Sequence, residues 1–197
     1  NNDNASGTVT FTGLVGATAT NGVDNITLAT SSNTVFNTDV FADVLTTSGI
    51  ATVQFDNDGT VIDEDIVLAD GTTLIVGSGN ANGESTLTAT AQGTSLTGRT
   101  ITVQMPANLT NGQSIVVVDG GQANVSAGTF TATNTGLFTY TTTEDGTVIG
   151  DNNDIVITAN KRSTASIAAT IGVSNQEALA IDNANTALAT GDQTALD

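Results

Sequence analysis

The sequence contains no cysteine, no histidine and no tryptophan. Without cysteine, neither a disulfide framework nor a thiolate metal site is available, so stability must come from strand pairing and apolar packing. The thiol nucleophile and the commonest general base are both missing, and a serine–lysine dyad would depend on the single lysine, Lys161. Paired carboxylates are the remaining route to catalysis, and the sequence therefore predicts a protein that is not an enzyme.

Positively charged residues are few. Three basic residues, Arg99, Lys161 and Arg162, stand against twenty acidic ones, for a net charge of -17, and residues 1–98 contain no base at all. Binding to nucleic acid needs a basic footprint that displaces counterions from phosphates, so nucleic acid is excluded as a partner. Anionic membrane surfaces are disfavoured for the same reason.

Aromatic residues are few, with six phenylalanines and one tyrosine in the chain. A glycosidase needs two carboxyl groups held across a sugar, and glycan-cleaving clefts are usually lined with aromatic rings. The shortage of rings makes a carbohydrate-binding or hydrolytic module the least favoured function. The sequence also shows no apolar run of membrane-spanning length.

Threonine and glycine are abundant. The chain has 38 threonines and 21 glycines, against one proline, Pro106. Threonine fits the pleated surface of a sheet and glycine fits tight corners, so the composition favours many short strands joined by glycine turns. Ten short runs with alternating apolar and polar residues are predicted as strands: 8–12, 25–29, 51–55, 72–76, 85–90, 100–104, 114–118, 129–133, 137–140 and 154–158.

These strands predict an all-β fold. Turns such as Asp70-Gly71 and Asn111-Gly112 suit either antiparallel hairpins or the corners of a solenoid. The glycines follow no strict period, which argues against a regular hexapeptide or nonapeptide solenoid but permits an irregular one. We expect a right-handed parallel β-helix or another β-solenoid, with an antiparallel β-sandwich as the alternative.

The pattern changes after Arg162. Residues 163–197 are rich in alanine and serine, and Ser174 with Glu177 has the spacing of a capping box. This spacing predicts a helix over 174–190. We therefore divide the chain into a strand-rich domain, 1–162, and a connector-like C-terminal segment with a short helix, 163–197.

One acidic run is a candidate calcium site. Asp56, Asp58, Asp63 and Asp65 lie close together in the sequence, and Gly59 follows the first pair. Ca²⁺ prefers several carboxylate and carbonyl oxygens on a flexible loop. The run matches neither the twelve-residue calcium loop nor the glycine-rich calcium repeat. Asp and Asn side chains that cap turns through hydrogen bonds to the backbone are the favoured explanation, and calcium is the alternative.

Several segments between residues 70 and 190 resemble the end of the passenger of bacterial autotransporters. The resemblance is carried by pattern and order, in the segments 109–121, 128–130, 138–140 and 153–162, followed by the Ser/Ala-rich stretch 163–189. In that family such strands close a β-helix, and a Ser/Ala-rich segment leads to the outer-membrane barrel, which is missing from this chain. The resemblance implies a right-handed parallel β-helix displayed on the surface of a Gram-negative bacterium.

Together these features lead us to expect an extracellular structural or adhesive module whose partners are host or neighbouring cell-surface molecules, or copies of itself. The alternative is a self-assembling subunit of a surface layer or filament, in which exposed strand edges pair between copies. Neither function requires a cofactor, apart from the calcium considered above.

Overall fold

The computed structural model of the protein describes residues 7–18, 20–56, 60–76, 87–89, 96, 98–107, 109–119, 129–145 and 154–190. Thirteen strands and two helices are assigned within these residues. They are β1 (Thr8–Phe11), β2 (Val23–Leu28), β3 (Asn33–Phe36), β4 (Phe41–Thr47), β5 (Thr52–Phe55), β6 (Val61–Val67), β7 (Thr73–Val76), β8 (Leu87–Ala89), β9 (Thr100–Gln104), β10 (Ser114–Asp119), β11 (Thr129–Ala132), β12 (Phe138–Asp145), β13 (Asp154–Lys161), α1 (Thr164–Ile171) and α2 (Asn175–Thr190).

Successive strands from β1 to β12 alternate between two sheets, and β13 lies in the same sheet as β12. Sheet I has the order β1-β3-β5-β7-β9-β11, and sheet II has the order β12-β13-β10-β8-β6-β4-β2. All pairs in sheet I are parallel, as are those from β2 to β10 in sheet II. Each coil therefore contributes one strand to each sheet, and the fold is a parallel β-solenoid. The solenoid prediction is confirmed, and the antiparallel sandwich is wrong.

The coils differ in length. In sheet I, Asn33 pairs with Thr52, 19 residues on, whereas Thr73 pairs with Thr102, 29 residues on. The turn at Asp70-Gly71 is a corner between the sheets, and Gly71 adopts a positive φ of 83° that favours glycine. Variable coil length explains why the glycines show no period in the sequence.

The core is a stack of aliphatic and aromatic side chains between the two sheets. The rings of Phe11, Phe36 and Phe55 pack face to face, with centroid distances of 5.0 and 5.3 Å. Leu74 in sheet I and Ile66 in sheet II are fully buried nearby in the same cluster. Burying one such aliphatic side chain contributes roughly 1.5–3 kcal/mol, so stability accumulates coil by coil.

The C-terminal end of the solenoid is closed by an antiparallel unit. Strand β13 pairs antiparallel with both β10 and β12, and the two helices follow it. Lys161 at the end of β13 lies 2.9 Å from the carboxylate of Asp182 on α2, and Asn185 donates a hydrogen bond to the carbonyl oxygen of Leu109. These contacts hold the helix pair against the last coil.

The helical segment begins earlier than predicted. The capping box is present, because Ser174 N–H donates to Glu177 Oε2 at 2.9 Å and Glu177 N–H donates to Ser174 Oγ at 3.3 Å. The predicted helix over 174–190 is confirmed as α2. Helix α1 was not predicted from the sequence; its N-cap is Ser163, and its C-cap, Gly172, is left-handed. Within the described residues, neither helix is long and apolar enough to span a bilayer.

Candidate functional site

The outer face of sheet I is the candidate functional surface, because it differs in charge from the rest of the protein. The six strands of this sheet contain no Asp, Glu, Lys or Arg, although the chain carries a net charge of -17. The strands of sheet II, by contrast, hold Asp24, Asp43, Asp63 and Asp65 among their acids. The strands of one broad surface of a strongly acidic protein are therefore uncharged, and Asp56 follows directly after β5.

A column of in-register hydroxyl groups runs along this neutral face. The strand register places six residues side by side in adjacent coils: Thr8, Asn33, Thr52, Thr73, Thr102 and Thr131. Adjacent strands in a sheet lie about 4.8 Å apart, so the column repeats at about that interval along the solenoid. We call these six residues the threonine column.

The threonine hydroxyls of this column are available to a partner. Thr8 and Thr131 are exposed, and Thr52, Thr73 and Thr102 are half-buried between their neighbours. None of these five hydroxyls makes a hydrogen bond to another residue within the part of the chain that the structure describes. Water or a bound molecule can therefore take these hydrogen bonds without displacing a protein contact.

A second outward column lies beside the first, two residues further along each strand. It consists of Thr10, Val35, Gln54, Ile75 and Gln104. Residues two apart on a strand are separated by about 6.6 Å, which sets the distance between the columns. Hydroxyl, amide and aliphatic groups thus form a two-column array that combines hydrogen-bonding capacity with apolar contact.

Three of the four residues of the candidate calcium site lie in the described part of the chain, and they are divided between the sheets. Asp56 follows β5 of sheet I, where its Oδ1 accepts a hydrogen bond from Gln54 Nε2 at 2.7 Å. Asp63 and Asp65 lie on β6 of sheet II. Asp58 is outside the described residues. No group of three acidic side chains that could hold a metal is present within the described part of the chain, and calcium binding by the full set stays a prediction.

Asp43, Asp63 and Asp65 lie at an irregularity in the pairing of β4 with β6. The β4–β6 register shifts between Ala42 and Val44, so that Val44 lies opposite Asp65. Such a bulge re-aims side chains and breaks the alternation of the strand. Asp65 is half-buried, and its Oδ1 has no hydrogen-bond partner in the described structure. The described structure therefore leaves this one carboxylate oxygen without a compensating hydrogen bond.

An apolar cavity of about 350 Å³ lies between the last coil and the helix pair. It is lined by Met105, Pro106, Ala107, Thr135, Gly136, Leu137, Phe138, Tyr140, Ile171 and Ile181. Tyr140 is the only titratable group among the described residues of this lining. Burial raises the pKa of Tyr140, and a hydrogen bond with the Thr135 side chain partly offsets that rise. The described lining is therefore mainly apolar, with the Tyr140 hydroxyl among its few polar groups.

The threonine column was not predicted from the sequence, although its parts were visible. Thr8-Val9-Thr10, Thr100-Ile101-Thr102 and Thr129-Phe130-Thr131 are three Thr-x-Thr strands without charge. We took their threonines as evidence of strand formation alone. Absence of charge within these runs, in so acidic a chain, was the signal that could have identified an outward functional face.

Comparison of the chain with protein-family models, with curated proteins and with solved structures finds no match. Function must therefore be argued from the surfaces described above.

Proposed function

We propose that this protein is a non-enzymatic structural or adhesive module of a bacterial cell surface, and that the neutral outer face of sheet I is its contact surface. The resemblance to autotransporter passengers supports display outside the outer membrane of a Gram-negative cell. The other parts of the proposal rest on the surface chemistry of the two sheets.

The threonine column is the observation that carries this proposal. A single hydrogen bond contributes about 0.5–1.5 kcal/mol net, so one hydroxyl gives no useful adhesion. Hydroxyls fixed on a rigid sheet at a constant interval can engage a partner together, and their contributions combine without separate ordering costs. The column supplies this arrangement with five threonines and one asparagine.

The distribution of charge explains how the outer face of sheet I can be adhesive although the protein as a whole is strongly acidic. Negative charge on sheet II repels other acidic molecules and opposes non-specific association. The strands of sheet I carry none of that charge, and the carboxylate of Asp56 after β5 already accepts a hydrogen bond from Gln54. An uncharged hydroxyl-bearing surface can therefore approach the threonine column with little desolvation of carboxylates. We therefore expect the partner to be neutral and rich in hydroxyl groups, and binding to be insensitive to salt.

Adsorption to chemically defined monolayers tests this proposal. The probes are hydroxyl-terminated and ammonium-terminated monolayers, with adsorbed mass recorded at low and high salt. We expect the protein to bind the hydroxyl surface equally at both salt concentrations. The double variant Thr73→Asp/Thr102→Asp places two charges within the column and should lower adsorption roughly tenfold, because each charge must be desolvated at the contact.

A matched control exists on the other sheet. Thr27 and Thr46 form a half-buried, in-register pair on the outer side of β2 and β4. The variant Thr27→Asp/Thr46→Asp adds the same charge and should adsorb to the hydroxyl surface like the unmodified protein. Equal loss in both variants, or adsorption to the ammonium surface alone, would contradict a contact role for sheet I.

The alternative function is a self-assembling subunit of a surface layer or filament. Its support is a different feature, the N-terminal edge of the solenoid, where β1 and β2 are the terminal strands of their sheets. Long fibres of the purified protein under the electron microscope would favour this alternative over an individual adhesive module.

A further inference from the structure

The apolar cavity between the last coil and the helix pair is built on the core of the solenoid. Phe138, which lines it, is 2% exposed and belongs to the main hydrophobic core. Met105, Leu137 and Tyr140 also line the cavity, and they pack against the same core. We call these four residues the cavity floor. Because the floor consists of packed side chains on and beside paired strands, its shape exists before a ligand arrives, as is usual for small-molecule sites.

The helix side of the cavity is in contact with solvent. Ile171 at the end of α1 is 41% exposed, and Ile181 on α2 is 38% exposed, although both line the cavity. An apolar molecule placed between the floor and these two side chains would remove their exposed surface from water, which favours binding. The arrangement of exposed aliphatic side chains beside a preformed apolar hollow is typical of a ligand site.

Tyr140 contributes a hydroxyl group to the lining. A phenolic hydroxyl can donate one hydrogen bond and also accept one, and the side chain of Thr135 is a partner for one of these. Burial raises the pKa of Tyr140, so this hydroxyl stays uncharged at neutral pH. Its remaining hydrogen-bonding capacity is available to one polar group of a ligand.

The described lining contains no charged residue. Two basic residues lie at the end of β13 and directly after it, but neither lines the cavity. Lys161 pairs with Asp182 at 2.9 Å, and Arg162 Nε donates a hydrogen bond to the backbone carbonyl oxygen of Thr135 at 3.1 Å. An ionised group inside the cavity would lose its hydration without gaining a counter-ion. The net charge of -17 further disfavours an anion, so the lining favours an uncharged ligand.

The volume of the cavity limits the size of the ligand. An apolar cavity of about 150 Å³ holds one benzene molecule. The cavity described here has about 350 Å³, which corresponds to a molecule of roughly two rings on the same scale. Small-molecule sites begin at about this volume.

We propose that this cavity binds a small uncharged molecule, of about two rings in size, whose single hydroxyl group forms a hydrogen bond with Tyr140. Its apolar body would lie on the cavity floor and contact Ile171 and Ile181. No residue of the described lining belongs to the threonine column. Ligand binding therefore does not rest on the proposed adhesion, and either can fail without the other.

Fluorescence titration with 2-naphthol tests the class of ligand. The comparison probe is naphthalene-2-carboxylate, which has the same ring system and is ionised at neutral pH. We expect saturable binding of 2-naphthol to a single site, and roughly tenfold weaker binding of the carboxylate, because its charge would be desolvated without a partner. Absence of saturable binding up to the solubility limit of 2-naphthol overturns the proposal, as does tighter binding of the carboxylate.

Two variants on α2 test the location of the site. Ile181→Asp places a charge in the lining and should weaken 2-naphthol binding roughly tenfold. The matched control is Leu179→Asp, on the same helix, because Leu179 is 49% exposed and does not line the cavity. The control should bind 2-naphthol like the unmodified protein, and circular dichroism checks that both variants are folded. If the two folded variants bind equally well, or lose binding equally, the site lies elsewhere and the proposal is wrong.

The variant Tyr140→Phe tests the hydrogen bond, and it is informative even if Ile181→Asp does not fold. This change removes the hydroxyl and keeps the ring in the cavity floor. We expect the affinity for 2-naphthol to fall roughly three- to tenfold, the range of one hydrogen bond, and the affinity for naphthalene to stay unchanged. An equal loss for both probes would show that Tyr140 acts through packing alone, and unchanged binding of both would show that its hydroxyl has no role. Either result overturns the assigned recognition of a hydroxyl group.

Discussion

Sheet I and sheet II share the inner core of the solenoid but present different outer surfaces. Leu74 and Ile66 represent their inner sides, and both are fully buried in one cluster. Outward, sheet I presents the threonine column, whereas sheet II presents Asp63 and Asp65. The residue composition of the inner face is determined by packing of the core, which both sheets require equally. The outer face is free of that constraint, so its composition is the better guide to function.

The largest effect on the free energy of unfolding should come from substitutions in the shared core. We expect Leu74→Ala in sheet I and Ile66→Ala in sheet II each to lower the free energy of unfolding by about 2–5 kcal/mol, because each leaves a cavity. Ile75, the next residue on β7, points outward and is half-buried, so Ile75→Ala should cost about 1 kcal/mol or less. Urea denaturation of the three variants measures these differences.

Unequal losses would show that the sheets do not contribute alike. If Leu74→Ala cost no more than Ile75→Ala, the assignment of inner and outer faces in sheet I would be wrong, and with it the outward direction of the threonine column.

Alternation predicted ten of the thirteen strands, β1 and β7 among them, since it depends only on neighbouring residues. Strands β3, β4 and β6 were not predicted. Strands β4 and β6 were not predicted, because the bulge between Ala42 and Val44 breaks the alternation. In addition, Asp63 and Asp65 are typical of turns, with calcium ligation as the alternative interpretation. Strand β3 is a four-residue run that begins with Asn33.

The threonine column could not be predicted, because register between coils is a tertiary property. Asn33, Thr52, Thr73 and Thr102 align although the spacing between them varies from 19 to 29 residues. The extra residues of the long coils are accommodated outside the strands of sheet I. Stacking of buried side chains sets the register, and no sequence period records it.

A smaller effect on the free energy of unfolding should come from removing one acidic charge from the outer face of sheet II. Asp65 is half-buried, and its buried Oδ1 has no hydrogen-bond partner in the described structure. We expect Asp65→Asn to raise the free energy of unfolding by about 0.5–1 kcal/mol at low salt, because it removes an uncompensated charge from an acidic face. At high salt the gain should shrink, since screening weakens the repulsion that the charge contributes.

Addition of calcium tests whether Asp65 belongs to a metal site or only adds negative charge to the outer face of sheet II. If Asp65 belongs to a calcium site, calcium should raise the melting temperature of the unmodified protein to a plateau and leave Asp65→Asn unchanged. A rise that magnesium reproduces at equal ionic strength would indicate screening instead. Destabilisation by Asp65→Asn in the absence of calcium would show that the carboxylate has a partner that stabilises it.

The smallest effect on stability should come from Glu177, a carboxylate on α2 that belongs to neither sheet. Hydrogen bonds from the backbone N–H and hydroxyl of Ser174 hold the pKa of Glu177 below its ordinary value. A lowered pKa means that the ionised group stabilises α2 fully above the ordinary carboxyl range, and that this contribution is lost as pH falls through the lowered pKa. Glu177→Gln should therefore melt slightly earlier than the unmodified protein at neutral pH, and the difference should vanish in acid. Thermal melts followed by far-ultraviolet circular dichroism at several pH values measure it. A difference that persists below the carboxyl range would show that the glutamate acts through packing and not through its charge, in contrast to the acids of sheet II.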